Sequence, residues 1–223
     1  MSEQTINIPS KTTRNDNEST LFFTPGEYLK NRKGKFILGF FRRRLEMRAI
    51  DKCLKGLDDI DSVCDIPCGL GTLFPYWYKK GYRVIAADIS DPMIEAADKK
   101  FKHLNLEGRV IRCNAFAIED FLQENEVDLI ASIRFFYYFK KDERIELLKT
   151  MAEVSRKYLL VQYKTWETRK GRLNQKIVGS YKQFCSIEEI LEELKAARLD
   201  CIKISPTAPS GTDRVFVMAR NRK

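Results

Sequence analysis

The chain is expected to fold as an α/β three-layer sandwich: a seven-stranded, mostly parallel sheet with helices on both faces and an antiparallel hairpin at one edge. Three observations predict it. Short apolar runs alternate with helical segments from about residue 58 to the end. The runs are mostly apolar, as strands covered on both faces are. The last two are joined only by the turn residues SPTAPSGT, too short for a crossover helix and suited to an antiparallel hairpin.

The strands are placed at 61–66 (DSVCDI), 82–88 (YRVIAAD), 109–113 (RVIRC), 127–133 (VDLIASI), 158–163 (YLLVQY), 200–205 (DCIKIS) and 213–219 (DRVFVMA). Between them, helix starts are legible. Asp91 before Pro92 reads as an N-cap with proline at the first helical position. Asp142 opens DERIELLKTMAEVSRK, and Ser186 with Glu189 forms a capping box ahead of ILEELKAARL. Upstream, Phe36, Ile37, Phe40, Phe41, Leu45, Met47, Ile50 and Leu54 recur at helical spacing among arginines, which predicts one or two amphipathic helices. The first residues lack periodicity and are rich in Ser, Thr, Asn and charge. The chain thus divides into a flexible tail (1–24), a basic amphipathic helical cap (25–57) and a ligand-binding domain (58–223).

At 223 residues and 43% hydrophobic composition, one domain with a sizeable core is the expectation. No apolar run reaches the roughly 18 to 20 residues of a membrane span, and the opening stretch is polar, so neither a span nor a signal peptide is predicted. A soluble, cytoplasmic protein is expected. Cys53, Cys64, Cys68, Cys113, Cys185 and Cys201 are scattered, and the one close pair is spaced CxxxC. They read as reduced core thiols, and no metal site is expected.

The net charge of +9 is unevenly placed. Lys30 to Arg48 carries eight basic residues against Glu46, and Lys164 to Lys182 carries six against Glu167. Either run alone suits a solvated helix face, and a basic amphipathic helix also suits a membrane surface. Two such runs flanking one site would act together on an anion.

In an open α/β sheet, ligands bind outside the carboxyl ends of the strands, beside the first strand. VCDIPCGLGT, residues 63–72, lies there. Gly69 and Gly71 allow close backbone approach, while Pro67 stands where a phosphate-cradling loop has its first glycine and offers no N–H. Asp65 would repel a pyrophosphate and attract an ammonium. Asp88, 23 residues further on at the end of the second strand, is placed for the hydroxyls of a ribose. A nucleoside with a cation and no phosphate fits this pattern, as S-adenosylmethionine (SAM) does.

DIPCGLGT, AADISDPMIEAA and VDLIASIRFFYYF together resemble the class I, seven-stranded, Rossmann-like SAM-dependent methyltransferases over about residues 58–220. The resemblance implies that Asp65, Cys68, Gly69 and Gly71, with Pro67 in the first glycine's place, hold the methionyl moiety. It implies that Asp88 holds the ribose, and that Ile89 and Met93 flank the adenine. Asn114, where the family usually has Asp, and Ala115 would meet the adenine amino group. Ile133 and Arg134 would line the cofactor beside the substrate, and residues 58–223 would be the SAM-binding methyltransferase domain.

The acceptor is less legible. His103, the one histidine, falls at the end of the helix after the second strand, away from the strand carboxyl ends, so no histidine base is expected. The acceptor is then either already ionised or activated by another side chain. The two basic runs favour an anionic small-molecule or lipid-linked acceptor bearing phosphate or carboxylate. Arg134, Tyr137, Tyr138 and Tyr163 are the residues expected nearest the reacting centre, with Phe135, Phe136 and Phe139 shared between pocket wall and packing. A basic face with aromatics also admits an RNA methyltransferase or an RNA-binding protein on the same fold. A nicotinamide-dependent oxidoreductase is disfavoured by Pro67 and the incomplete glycine pattern.

Overall fold

Seven strands pair into one sheet in the order β3-β2-β1-β4-β5-β7-β6. They are β1 (Ser62–Asp65), β2 (Arg83–Asp88), β3 (Gly108–Arg112), β4 (Val127–Ser132), β5 (Ser155–Lys164), β6 (Leu199–Pro206) and β7 (Arg214–Asn221). The structure is a computed structural model that describes residues 36–178, 182–208 and 212–222; the expected tail and the start of the cap lie outside those residues. β1 to β5 run parallel, and β7 lies antiparallel to both β5 and β6. The expected edge hairpin is present, with β7 inside and β6 at the edge.

The helices are α1 (Phe36–Leu54), α2 (Phe74–Lys80), α3 (Asp91–His103), α4 (Lys141–Val154), α5 (Arg169–Val178) and α6 (Ile187–Ala196). Ala49, Ile50, Cys53 and Leu54 of α1, Phe74 and Trp77 of α2 and Ala97 and Phe101 of α3 bury against Val63, Leu129, Ala131, Leu160 and Phe216 on one face of the sheet. On the other face, Leu147, Leu148 and Met151 of α4 and Ile190 and Leu194 of α6 pack on Ile85, Ile130, Leu159 and Val161. Side chains of successive strand residues alternate between these two layers, and that alternation decides which residues can reach the site.

Several boundaries differ from expectation for identifiable reasons. The cap of α3 is Ser90 rather than Asp91, whose carboxylate instead pairs with Arg112 Nε at 2.8 Å. α4 starts before Asp142, because the Lys140 N–H donates to Glu143 Oε2 at 2.8 Å. It ends at Val154, where Asn221 Nδ2 donates to the Ala152 and Ser155 carbonyls at 2.6 and 2.9 Å and releases the chain into a longer β5. The capping box of α6 is present as expected: the Glu189 N–H donates to Ser186 Oγ at 3.0 Å and the Ser186 N–H donates to Glu189 Oε2 at 2.6 Å.

One ion pair lies wholly inside the α4 and α6 layer. Arg144 donates through Nε to Glu193 Oε2 at 3.0 Å and through Nη1 to the Phe139 carbonyl at 2.6 Å. Tyr163 donates its hydroxyl to the same Glu193 oxygen at 3.1 Å. Both charged groups are buried. Removing one partner leaves the other buried and uncompensated, which costs about 3–5 kcal/mol, whereas an apolar replacement of both is far better tolerated. Glu193→Gln is therefore expected to lower unfolding free energy by about 3 kcal/mol in urea titration, and Arg144→Met with Glu193→Leu to recover most of that loss.

Candidate active site

The carboxyl ends of β1 and β2 are stitched together by backbone and carboxylate. After Asp65 the chain passes a cis Ile66–Pro67 peptide and turns through Cys68, Gly69, Leu70 and Gly71 towards α2. The Cys68 N–H donates to the Ala87 carbonyl at 2.8 Å. The Asp88 carboxylate accepts the Gly69 N–H on Oδ2 at 2.9 Å and the Ser90 N–H on Oδ1 at 3.0 Å. Gly71 sits at φ +61°, and a Cβ there would lie 2.4 Å from the Phe74 ring. At Gly69, φ is +53° and a Cβ would project into open space. The turn thus needs glycine at 71 for packing and leaves a gap above 69.

Two buried acids face this gap's surroundings. Asp65 accepts Trp77 Nε1 at 3.2 Å, and burial pushes its carboxyl up to about 7, against the opposing pull of that hydrogen bond and of the Arg134 and Lys100 charges. Burial also raises Asp88, with the Ser90 and Gly69 N–H groups acting the other way. Beside Asp88, Ile89 is 39% exposed and Met93 is buried, which makes an apolar shelf next to an acid. The Cys113 N–H donates to the Asp88 carbonyl at 3.0 Å and brings Asn114 and Ala115 to the same edge. The Asn114 amide oxygen accepts the Phe116 N–H at 3.1 Å and starts the 3-10 turn Ala115–Asp120.

Three cations converge on the turn that follows Gly69. Lys100 Nζ donates to the Gly71 carbonyl at 2.6 Å, Arg134 Nη2 donates to Thr72 Oγ1 at 2.7 Å, and Arg43 Nη2 donates to the Thr72 carbonyl. Arg134 follows Ile133 at the end of β4 with φ +66°, a left-handed conformation that non-glycine residues seldom adopt and that recurs at functional sites. Ile133 is buried in the α1 and α2 layer. Further along the same edge, Lys164 Nζ stands 5.7 Å from the Tyr137 ring centroid and Lys182 Nζ 5.8 Å from that of Tyr138. Both basic runs therefore reach the carboxyl edge, through Arg43 in one and Lys164 and Lys182 in the other.

Of the expected residues, Asp65, Pro67, Cys68, Gly69, Gly71, Asp88, Ile89, Met93, Asn114, Ala115, Ile133 and Arg134 gather at this edge, with Tyr137 and Tyr138 beside them. Tyr163 does not join them. It points into the α4 and α6 layer, its hydroxyl is bonded to Glu193, and burial with that carboxylate raises its pKa, so it offers no base. His103 is exposed at the end of α3. Trp77, Lys100, Thr72, Gln162 and Arg214 went unnoticed in the sequence, because their roles depend on pairings across elements. For Lys100 the signal was available: it lies on the helix that starts beside Asp88 and is one turn from that helix's end.

Residues 63–157 match a family described as a methyltransferase domain. No curated protein matches the sequence. The chain carries a methyltransferase domain in the class I fold. The magnesium protoporphyrin IX methyltransferase of Synechocystis PCC 6803, solved with bound SAM, superposes with TM-score 0.70 at 13% identity over 95% of this chain and 100% of that one. Geranyl diphosphate C-methyltransferase from Streptomyces coelicolor A3(2) superposes with TM-score 0.63 at 14% identity, over 81% of this chain and 82% of that one. A 1,6-didemethyltoxoflavin-N1-methyltransferase of Burkholderia thailandensis gives 0.62 at 16% identity over 91% and 92%. At these identities the likeness is one of fold, and the acceptors differ widely.

The raised carboxyl of Asp65 makes stability depend on pH in a stated direction. Between its ordinary value of 3.8 and about 7, the folded protein holds a proton that the unfolded chain has released. This group's contribution is therefore most favourable at the acid end of the window and is lost as pH rises towards about 7. Urea titrations across that window should show the slope in the wild-type methyltransferase without ligand, and Asp65→Asn should flatten it.

Proposed function

We propose that this methyltransferase moves the methyl group of SAM to an anionic acceptor, small or lipid-linked, held at the carboxyl ends of β4 and β5. The observation that carries the reading is the convergence of Arg43, Lys100 and Arg134 on Gly71 and Thr72, with Lys182 beside Tyr137 and Tyr138; Lys164, nearby, is buried and paired with Asp213. Cations at the mouth of a cleft raise the local concentration of an anionic reactant.

The residues present fit the cofactor. A buried carboxylate held up at about 7 gains by ionising against a cation, so Asp65 suits the ammonium of the methionyl group. The Asp88 carboxylate accepts the Gly69 and Ser90 N–H groups on different oxygens and keeps lone-pair capacity for a ribose hydroxyl. Ile89 and Met93 offer apolar surface to a purine, and the open space at Gly69 admits the ligand close to the backbone. Asn114 keeps its oxygen on the Phe116 N–H, which leaves its amide nitrogen and the second lone pair of the oxygen for the adenine edge.

SAM supplies an electrophilic methyl group on a sulfonium sulfur. The acceptor's oxygen approaches in line with the carbon–sulfur bond, which breaks as the new bond to carbon forms, and the residues' task is to position that oxygen in a dry site. A phosphate or carboxylate arrives ionised and needs no base, which agrees with His103 lying exposed at the end of α3. Arg134, Tyr137 and Tyr138 are the side chains proposed to touch the acceptor.

Gln162 and Arg214 extend the proposed pocket. Gln162 is fully buried, yet neither Oε1 nor Nε2 has a hydrogen-bond partner, and the Nε of Arg214 is likewise unpartnered. β5 sets Gln162 opposite Phe216 and Lys164 opposite Arg214 on β7, so the two are diagonal neighbours, roughly 7–8 Å apart at the backbone. Alternation puts Gln162 on the α1 side of the sheet, the side of Leu160, Phe216 and Ile133. Arg214 Nη1 already donates to Glu46 Oε1 of α1 at 3.3 Å. A buried amide left unpaired costs about 1–3 kcal/mol, a cost that a hydrogen-bonding acceptor would remove.

Labelled methyl transfer from SAM into an extract of the source organism, with the product identified, tests the reading. The expected product is a methylated anionic small molecule or lipid; label confined to RNA, or no transfer, would overturn it. Gln162→Leu should raise Tm by removing an unpaired amide, while lowering kcat/KM for that acceptor about tenfold or more and leaving SAM affinity unchanged.

A further inference from the structure

Helix α5 is inserted between β5 and α6, at the edge where the site opens, and almost all of it lies on the surface. Its sequence, RKGRLNQKIV, contains four cations and no acid. One side holds it to the domain. At Gly171 a Cβ would lie 2.1 Å from the Thr165 carbonyl oxygen, and Asn174 Nδ2 donates to Asp213 Oδ2 at 3.0 Å.

The opposite side carries Leu173 and Ile177, one turn apart and 59% and 66% exposed. At 3.6 residues per turn, Lys170 falls on one flank of this pair and Arg169, Arg172 and Lys176 on the other. Trp166, just ahead of the helix, is 37% exposed. The nearest acid in sequence, Glu167, spends its carboxylate on the Ile187 N–H at 2.8 Å. Arg172 bonds the Glu167 carbonyl at 3.3 Å and keeps its charge. Two large aliphatic side chains at the centre of a cationic face gain nothing from water. Phosphates of a nucleic acid would satisfy the cations and leave the aliphatic pair uncovered, with no stacking surface in the helix for bases.

We infer that α5 is an interfacial helix that docks the protein on an anionic lipid bilayer. Leu173 and Ile177 enter the boundary between headgroups and acyl chains, and Arg169, Lys170, Arg172 and Lys176 meet the anionic headgroups around them. At ten residues α5 is too short to cross a bilayer, so it would lie in the plane of the surface, a reversible attachment. Because α5 follows the carboxyl end of β5, docking sets the mouth of the site against the bilayer. The inference rests on the exposed face of α5 and stands whichever acceptor the site takes.

Co-sedimentation of the full chain with vesicles tests it. With phosphatidylcholine vesicles containing about one-third phosphatidylglycerol, binding is expected at low salt, falling steeply as salt rises, and with phosphatidylcholine alone it should be negligible. Leu173→Ser with Ile177→Ser should weaken binding about tenfold or more, and so should Lys170→Gln with Arg172→Gln and Lys176→Gln, both with unchanged Tm and unchanged calorimetric affinity for S-adenosylhomocysteine. Four results would each overturn the inference. The wild-type protein fails to bind anionic vesicles; the aliphatic double variant binds as the wild type does; that variant has a markedly lower Tm, which means the pair is covered within the protein; or it abolishes self-association seen in sedimentation velocity, which means a second copy covers it. S-adenosylhomocysteine binding in the same samples reports separately on the methyltransferase site.

Discussion

The carboxylate of Asp88 is the tie on which the site depends. By accepting the Gly69 N–H and the Ser90 N–H, one on each oxygen, it fixes the turn after β1 to the end of β2 and sets the start of α3. The turn then carries Gly71 and Thr72 to where Lys100, Arg134 and Arg43 meet them, from α3, the end of β4 and α1. Without the tie, four elements lose their common reference. Asp65 is the second half of the arrangement: held in the core by Trp77, its carboxyl is raised to about 7 by burial, against the opposing charges of Arg134 and Lys100. The ring of cations beyond it is anchored to backbone and hydroxyl oxygens of the turn, so the edge is acidic at its floor and basic at its rim.

In the proposed function, that division of charge would separate cofactor from acceptor. The acidic floor under Asp65 and Asp88 favours a cationic nucleoside, and the basic rim favours an anion arriving from outside. A pyrophosphate would have to cross the rim and then lie against two buried acids. In the proposed function the ammonium of SAM would meet these acids, and an anionic methyl acceptor would be left to Arg134 and the Tyr137 and Tyr138 edge. The fold supports this by alternation along β5. Leu160 and Gln162 face the α1 side, while Leu159, Val161 and Tyr163 face the α4 and α6 layer.

Much of the architecture was legible because strand pattern and turn chemistry agree along the chain. Apolar runs marked the seven strands, though not their order in the sheet, SPTAPSGT marked the hairpin, and Ser186 with Glu189 marked a helix start that the structure reproduces. The acids and glycines of the site were legible for the same reason: they sit at strand ends whose position the pattern predicts. Tyr163 was misplaced because a one-residue step along a strand changes the face, and the burial of β5 on both sides erased the alternation that would have revealed it. The cap of α3 moved by one residue because Asp91 had a better partner in Arg112. Trp77, Thr72 and Gln162 could not be found from spacing at all, since each gains its role from a strand or helix distant in sequence.

The central claim is that the acidic floor selects a nucleoside cofactor without phosphate. Calorimetric titration of the wild-type protein with S-adenosylhomocysteine and, separately, with NADH tests it most directly. Saturable heat is expected with S-adenosylhomocysteine, none with NADH, and loss of the first in Asp88→Ala. Saturable NADH binding with no response to S-adenosylhomocysteine would contradict it.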